Sequence, residues 1–422
     1  ASPGCESAAP IILQGHMDMV CAKTDDCTKD MAREGLDLMT DGEWVWADKT
    51  SLGGDNCIAV AMILAILSDD TLVHPPIEAV FTVDEEVGMD GAFALDCSDL
   101  KGRKLLNLDS EAEGVFTVSC AGGMRSDCFF PAALTPAEGM DVCKLTISGL
   151  QGGHSGADIH LGRGSANRLM GRVLCAALEK FPGLRLAAID GGEFDNVICS
   201  RCEAAVALPA GSGQAFAAFA REFDAALKNE YAVTDPGAAL ECVPLSADRA
   251  VSPERTAVLL RALAVLPHGV EAMDTDFPGL VQTSLNMGVV RLDGAGLHVT
   301  FSIRSSIASR KEMLAQRVRA AAALAGGTVT ERGVYPGWQY RRDSKFRETL
   351  LAAYKDLTGK DGVVEATHGG LECGLLMEKL PGLDAVSLGP DLHDIHSVRE
   401  RLDVASTART YALVCEVLRR SV

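Results

Sequence analysis

The stretch Ile11-Ile-Leu-Gln-Gly-His16-Met-Asp18 joins a short apolar run to side chains that bind metals, and three other stretches share this arrangement. Continuous apolar runs predict strands covered on both faces, as in a parallel α/β sheet. The four runs are residues 11–13 before His16 and Asp18, 79–83 before Asp84, Glu85 and Glu86, 105–108 before Asp109, and 385–388 before His396. Because ligands of such sheets bind beyond the carboxyl ends of the strands, we expect a ligand site there.

The middle of the chain has a different pattern. Residues 140–150 alternate apolar with polar side chains, which predicts a half-exposed strand. Residues 285–292 and 297–303 flank the turn Asp293-Gly-Ala-Gly296, which predicts a hairpin. Apolar stripes at helical spacing predict helices at 56–67, 166–181, 215–227, 256–266 and 404–420. We therefore expect an α/β domain, residues 1–122 and 334–422, interrupted by an inserted α+β domain, residues 123–333.

The composition narrows the class of protein. The 422 residues are 47% hydrophobic, enough for two domains, and the net charge of −19 disfavours binding to nucleic acids or anionic membranes. The longest apolar run, residues 57–67, is about half the ~20 residues that a membrane-spanning helix needs. The chain begins without a basic or apolar leader, and many of its fourteen cysteines lie in apolar runs. These features predict a cytoplasmic protein with small-molecule partners.

The first two candidate ligands also have ordinary explanations. His16 and Asp18 are two residues apart on one face of a strand, so one could bind a metal while the other orients it, or both could be polar strand-end residues. Asp55 follows two glycines that let the backbone approach a ligand closely, but it could equally cap the helix that it precedes.

The adjacent carboxylates of Glu85 and Glu86 repel each other unless a cation or proton stabilises them. Glu86 would then bind metal, and Glu85, turned the other way, would act as the general base; a solvated acidic loop is the alternative. For the last ligand, spacing does not choose between His393 and His396. Two histidines and three carboxylates suit a pair of zinc ions, and the oxygen-rich set tolerates manganese or cobalt.

Several motifs together resemble the M20 metallopeptidases, with the closest likeness to their aminoacyl-histidine dipeptidase (Xaa-His dipeptidase, carnosinase) branch. The matching motifs, in unbroken order, are Gly15-His-Met-Asp18, Gly54-Asp-Asn56, Glu85-Glu86, Asp109-Ser110, Gly152-Gly-His-Ser-Gly156 and Gly369-Gly-Leu-Glu-Cys-Gly374. The resemblance implies a zinc-peptidase-like catalytic domain and a lid domain formed by the inserted segment. The chain could also form a homodimer through this lid domain.

The resemblance also implies roles for individual residues. Asp55 bridges two zinc ions, His16 and Asp109 complete one ion, and Glu86 and His396 complete the other. Asp18 supports His16, Glu85 is the base, and a cis peptide follows Asp55.

In the lid, the resemblance implies that His154 stabilises the oxyanion, Arg304 grips the substrate carboxylate, and Asn196 makes a polar contact. Two departures from the family pattern stand out. Only fifteen residues precede His16, which predicts either a truncated N-terminus or a fold that has lost an edge. Asp394-Ile-His-Ser-Val398 lacks the prolines that usually flank the last ligand.

The predicted activity is zinc-dependent hydrolysis of dipeptides, Xaa-His dipeptides such as carnosine in particular, by a metal-bound hydroxide with Glu85 as the base. An M20-type aminopeptidase or N-acyl-amino-acid deacylase is the alternative enzyme, and profiling acetylated amino acids against Xaa-His would separate the two. A non-catalytic metal-binding scaffold is a third hypothesis, disfavoured because no ligand or base is replaced.

Overall fold

The computed structural model describes Ala1–Val422, and the chain divides into two compact units. Unit 1 contains Ala1–Cys120 and Trp338–Val422, and unit 2 contains Ala121–Gly337. The strands are β1 (Ile11–His16), β2 (Leu38–Thr40), β3 (Trp44–Ala47), β4 (Ile77–Thr82), β5 (Lys104–Asn107), β6 (Val115–Cys120), β7 (Gly122–Pro131), β8 (Leu134–Pro136), β9 (Asp141–Ser148), β10 (Arg185–Gly191), β11 (Cys202–Leu208), β12 (Ala239–Leu245), β13 (Arg249–Val251), β14 (Gly269–Met273), β15 (Val281–Leu292), β16 (Gly296–Ser305), β17 (Thr328–Tyr335), β18 (Val363–Thr367), β19 (Asp384–Ser387), β20 (Leu392–His393) and β21 (Arg401–Asp403). The α-helices are α1 (Gly54–Ser68), α2 (Glu85–Gly88), α3 (Asp90–Ala94), α4 (Ala166–Lys180), α5 (Gly213–Glu230), α6 (Pro253–Val265), α7 (Ala308–Leu324), α8 (Lys345–Thr358), α9 (Glu372–Lys379) and α10 (Val404–Arg419).

Unit 1 is built on a six-stranded sheet in the order β18-β6-β19-β5-β1-β4. Strands β19, β5, β1 and β4 are parallel neighbours, and each of them overlaps one of the four apolar runs identified in the sequence. The carboxyl ends of these four strands therefore lie side by side at the same end of the sheet. The prediction of a mostly parallel α/β sheet is confirmed.

Burial explains why these runs form strands. All six residues of β1 are buried, and Ile11, Leu13, Leu105 and Leu106 are completely inaccessible. Each such side chain stabilises the fold by about 1.5–3 kcal/mol relative to exposure. The covering helix α10 begins at a capping residue, Asp403, whose carboxylate accepts the Ser406 amide hydrogen at 2.6 Å.

A second sheet of unit 1 has the antiparallel order β2-β3-β21-β20. A small apolar cluster of Ala47, Leu52, Leu392 and Leu402 packs beneath it. Since Leu52 precedes Asp55 and Leu392 precedes His396, this cluster anchors two loops that carry candidate ligands.

Unit 2 contains an antiparallel sheet in the order β12-β9-β11-β10-β15-β16-β7-β17, with β14 paired to β15. The predicted hairpin is formed by β15 and β16, with Leu292 opposite Leu297. One large core, which includes Phe130, Phe216 and Phe301, lies between this sheet and helices α4 to α7. The α+β character of the inserted segment is confirmed, and no helix of the chain is both long enough and apolar enough to cross a membrane.

Candidate metal centre

Two groups of side chains at the carboxyl edge of the unit 1 sheet could each hold a metal ion, and they share Asp55. In the first group, the His16 Nε2 atom lies 3.0 Å from Asp55 Oδ1 and 3.3 Å from Asp109 Oδ1. In the second, the His396 Nε2 atom lies 3.2 Å from Asp55 Oδ2 and 3.0 Å from Glu86 Oε2. The two carboxylate oxygens of Asp55 therefore face different groups.

These separations suit ligands of tetrahedral cations. Ligand bonds of 2.0–2.2 Å at tetrahedral angles place neighbouring ligand atoms about 3.3 Å apart. The four nitrogen–oxygen distances are close to that value. Imidazole nitrogens with carboxylate oxygens are also the ligand types that zinc accepts.

The pKa shifts in this cluster also indicate a site that favours positive charge. Burial and the charge of Asp55 raise the pKa of Glu86, and burial raises the pKa of Asp109. Burial alone would lower the pKa of His16, but its hydrogen bonds and charge interactions with Asp109 and Asp55 raise it to about 12. Three converging carboxylates thus favour positive charge between them, and one Glu86 oxygen, Oε1, is buried without a hydrogen-bond partner. The residues present fit a pair of divalent cations.

The loop that carries Asp55 is held by an unexpected residue. The Glu400 carboxylate, only 2% exposed, accepts the backbone N–H groups of Leu52, Gly53 and Gly54 at 2.7–2.9 Å and of Asp55 at 3.3 Å. Gly53 has φ +68°, and an added Cβ would come within 2.6 Å of the Met19 sulfur, so only glycine fits. The expected cis peptide between Asp55 and Asn56 is confirmed.

Asp18 contacts His16 differently from the simplest expectation. The His16 Nδ1 atom is 3.0 Å from the Asp18 backbone oxygen and 3.5 Å from the Asp18 carboxylate. The carboxylate instead accepts the Glu86 amide hydrogen at 3.1 Å. Asp18 therefore connects the two candidate groups, since its carbonyl orients His16 and its side chain holds the backbone of Glu86.

Glu85 and Glu86 begin the short helix α2 directly after β4 rather than continuing the strand. Glu85 lies close enough to His16 and Glu86 for their ligand atoms to be within 4.8 Å of one another. Burial, and then the charge of Asp109, raise the pKa of Glu85 to about 8. Glu85 therefore lies beside the candidate cation groups but belongs to neither of the two groups that share Asp55.

The two histidines of the last loop have different surroundings. His396, with φ +60°, joins Asp55 and Glu86, whereas the His393 ring packs at 5.2 Å against Trp44. Asn56 is a further neighbour: its side-chain amide donates to Asp109 Oδ1 at 2.5 Å and to the Leu108 carbonyl at 2.7 Å.

The remaining sequence-predicted residues, His154, Asn196 and Arg304, belong to unit 2. The His154 Nδ1 atom accepts the Ala157 amide hydrogen at 3.3 Å, and the Asn196 carbonyl accepts the Ser155 amide hydrogen at 2.8 Å. Burial, and to a smaller extent the positive charge of Arg304, lower the pKa of His154. Arg304 is 8% exposed and its Nε atom has no hydrogen-bond partner.

One cysteine pair, Cys199-Ser-Arg-Cys202, has a spacing found in metal and redox sites. Both thiols are buried, and burial raises the pKa of Cys199 to about 11 and that of Cys202 well above its usual value. Neither belongs to a group of side chains able to hold a metal, and all fourteen cysteines are free thiols. This pair is part of the unit 2 core.

Comparisons with known proteins agree with this site. Residues 145–235 match the Peptidase dimerisation domain family of M20 proteins. The chain is 36% identical over 422 residues to the Cytosol non-specific dipeptidase of Escherichia coli (strain K12), covering 99% of this chain and 87% of that protein. The chain belongs to the M20 metallopeptidase family.

Two solved structures are similar to this M20 chain. The crystal structure of Aminoacylhistidine Dipeptidase from Vibrio alginolyticus matches with a TM-score of 0.93 and 36% identity, covering 100% of this chain and 86% of that chain. The aminopeptidase PepT of Bacillus cereus ATCC 10987 matches with a TM-score of 0.55 and 16% identity, over 100% and 83% of the two chains, and shares the fold. The resemblance inferred from the motifs is confirmed.

Proposed function

We propose that this M20 chain is a cytoplasmic dipeptidase that uses two zinc ions to hydrolyse dipeptides, with Xaa-His dipeptides such as carnosine among its substrates. The observation that carries the proposal is the pair of ligand groups that share Asp55, with Glu85 beside them. The names of the Escherichia coli and Vibrio alginolyticus relatives support dipeptide hydrolysis. Zinc fits the nitrogen and oxygen ligands, and manganese or cobalt would fit the same set.

In this proposal His16, Asp55 and Asp109 hold one cation, and Asp55, Glu86 and His396 hold the other. Such a pair lowers the pKa of water and polarises a carbonyl group. Glu85 takes the proton from the attacking water and passes it to the departing amine. Asp18 keeps His16 in the orientation that presents Nε2 to the cation.

His154 is proposed to donate a hydrogen bond to the oxygen of the tetrahedral intermediate. Its Nδ1 atom accepts the Ala157 amide hydrogen, so the neutral ring carries its proton on Nε2. The lowered pKa favours that neutral form at pH 7. A donor of this kind is commonly worth several kcal/mol of barrier, about 3–4 when one is removed.

Arg304 is proposed to bind the substrate carboxylate, and Asn196 to add a polar contact. The Arg304 guanidinium makes a long hydrogen bond of 3.4 Å to the Tyr335 hydroxyl, and its Nε atom has no hydrogen-bond partner. The Nε donor is therefore free for a carboxylate, which guanidinium groups bind in a bidentate manner.

A cavity of about 250 Å³ in unit 1 supports substrates with a free amino group over N-acyl amino acids. It borders Asp109 and is lined by the carboxylates of Glu111 and Glu365, neither of which makes an ion pair. A cationic α-amino group would be stabilised there, whereas an acylated one carries no charge to recognise.

The decisive experiment compares wild type with Glu85→Gln in metal content and dipeptide turnover. Glu85→Gln should keep two ions per chain and lose at least about 10²-fold in kcat, because the proton acceptor is gone. Wild-type rates in this variant would refute the role of Glu85. A panel of carnosine, other dipeptides and acetylated amino acids tests the substrate, and preference for the acetylated compounds would favour the deacylase alternative.

Assembly and location follow from the same relatives. The match of residues 145–235 to a dimerisation domain supports a homodimer formed through unit 2. The fourteen free thiols and the cytosolic name of the Escherichia coli relative support a cytoplasmic location. Light scattering at several protein concentrations would measure the assembly.

A further inference from the structure

Beneath the candidate metal centre lies a chain of four buried polar side chains from three strands and one helix. Glu372, the first residue of α9, is completely buried, as are Gln14 of β1 and Asn107 of β5, and Thr82 of β4 is 3% exposed. Polar groups in such a place cost free energy unless they are hydrogen-bonded to each other.

Glu372 is the acceptor at one end of this chain. Its Oε2 atom accepts hydrogen bonds from the Gln14 amide at 2.6 Å and from the Thr82 hydroxyl at 2.7 Å. The Gln14 amide oxygen in turn accepts the Asn107 amide at 2.6 Å. One carboxylate from a helix thus ties together three neighbouring parallel strands, with β1 in the centre.

The positions of these side chains coincide with the positions of the candidate ligands. Gln14 lies two residues before His16, and Asn107 lies two residues before Asp109, so each shares the side of its strand with a ligand. Thr82 is the last residue of β4, just before α2 and Glu86. Each tied strand is therefore one that delivers a ligand.

A merely stabilising role does not account for this network. Apolar side chains of similar volume commonly stabilise a buried position as well as a polar network does. Here the Glu372 Oε1 and Asn107 Oδ1 atoms are buried without any partner, so the network is not fully satisfied. Its benefit must then lie in fixing the strands relative to each other.

We propose that Glu372 is a positioning residue for the metal centre. Its bonds to Gln14 and Thr82 set the separation at which β1, β4 and β5 present His16, Glu86 and Asp109. This inference rests on the proposed metal site. Residues that orient metal ligands from behind commonly change metal affinity by 10–100-fold when they are removed.

The test is a metal titration of the metal-free full-length protein with zinc, in competition with a chromogenic chelator. Glu372→Leu removes the acceptor and should weaken zinc binding at least tenfold. Glu372→Gln keeps one acceptor oxygen and should stay within about threefold of wild type. The control Ser119→Ala removes a buried hydroxyl of β6, bonded to the Trp338 carbonyl at 2.7 Å, and should leave the affinity unchanged.

A purely structural role would give a different result: Glu372→Leu would unfold at a lower urea concentration yet bind zinc like wild type, and that outcome overturns the proposal. If Glu372→Leu does not fold, Thr82→Val replaces it in the titration. This variant should bind one of the two zinc ions about tenfold more weakly. Unchanged zinc affinity in Thr82→Val would again contradict the proposal. At saturating zinc, Glu372→Leu should lower kcat more than it raises KM. Failure of the proposed function appears separately, as wild-type protein that binds zinc but cleaves no dipeptide, and in that case the affinity ratio still decides the positioning role.

Discussion

Replacing Glu400 by glutamine should destabilise unit 1 far more than the loss of one charge at the surface would. The Glu400 carboxylate accepts two N–H groups on each oxygen, Leu52 and Gly53 on Oε2, and Gly54 and Asp55 on Oε1. A glutamine side chain can accept only one of these pairs. Its NH₂ group faces the other pair, where two buried donors lose their acceptor.

The magnitude follows from those two donors. Each buried donor left unsatisfied costs about 1–3 kcal/mol, so Glu400→Gln should lower the free energy of unfolding by about 2–6 kcal/mol. The control is Asp361→Asn, which breaks an ion pair of unit 1 between two exposed side chains, Asp361 and Lys355, at 2.7 Å. Exposed pairs of this kind are worth about 0–1 kcal/mol, so the control should change little.

The assay is urea unfolding followed by tryptophan fluorescence. Trp44, Trp46 and Trp338 all belong to unit 1, so the signal reports on that unit alone, and Trp46 lies opposite Arg401, next to Glu400. The shift in midpoint multiplied by the urea slope gives the change in stability. A loss no larger than that of Asp361→Asn would show that the four N–H groups find other acceptors, and the reasoning would fail.

Two further predictions concern the metal centre and the stability of unit 2. Asp55→Asn should lower the content of both ions, whereas Asp109→Asn should lower the content of one, because Asp55 faces both ligand groups; mass spectrometric metal analysis after dialysis distinguishes these outcomes, and equal losses would contradict the bridging role. Burial, and then the charge of Arg168, lower the pKa of His268 to about 4, and its Nδ1 atom accepts the Met287 amide hydrogen at 3.0 Å. In the unfolded chain His268 binds a proton near pH 6.5, whereas in the folded chain it does so only near pH 4. The free energy of unfolding is therefore unaffected by His268 above pH 6.5 and falls by about 2 kcal/mol at pH 5. Circular dichroism melts of wild type and His268→Gln at pH 7 and pH 5 should show the smaller acid loss in the variant, and identical losses would exclude His268 as the cause.

The strands and the candidate ligands could be predicted from sequence because both follow from local patterns. A short apolar run followed by acidic residues or histidine predicts a buried parallel strand with a candidate ligand after it. Strands β1, β5 and β19 follow that rule, and β4 is parallel but only partly buried. Parallel pairing then brings the ligands to one edge without further information.

Asp18 was predicted to support His16, but the contacts of Glu400 with the loop of Asp55 were not predicted, and the physical reason is clear. Glu400 lies in the charged stretch Val398-Arg-Glu-Arg401, where a glutamate usually faces solvent. Its four acceptor bonds go to a loop about 350 residues earlier in the chain, and a backbone N–H group leaves no trace in a sequence. Spacing alone left His393 and His396 open, and only the family resemblance favoured His396; the φ of +60° at His396 is a feature that its residue type does not indicate.

Glu372 and Glu400 act on different parts of the same site, and this division makes their effects separable. Glu400 bonds to the loop of Asp55 and lies four residues after His396, so we expect it to position the proposed bridging carboxylate and the proposed second cation group. Glu372 reaches the strands before His16, Asp109 and Glu86 through Gln14 and Thr82. Because the two carboxylates share no hydrogen-bond partner, their substitutions should add in unfolding free energy. The effects of the two substitutions on metal affinity should not add, since we expect either substitution alone to displace candidate ligands of both cations.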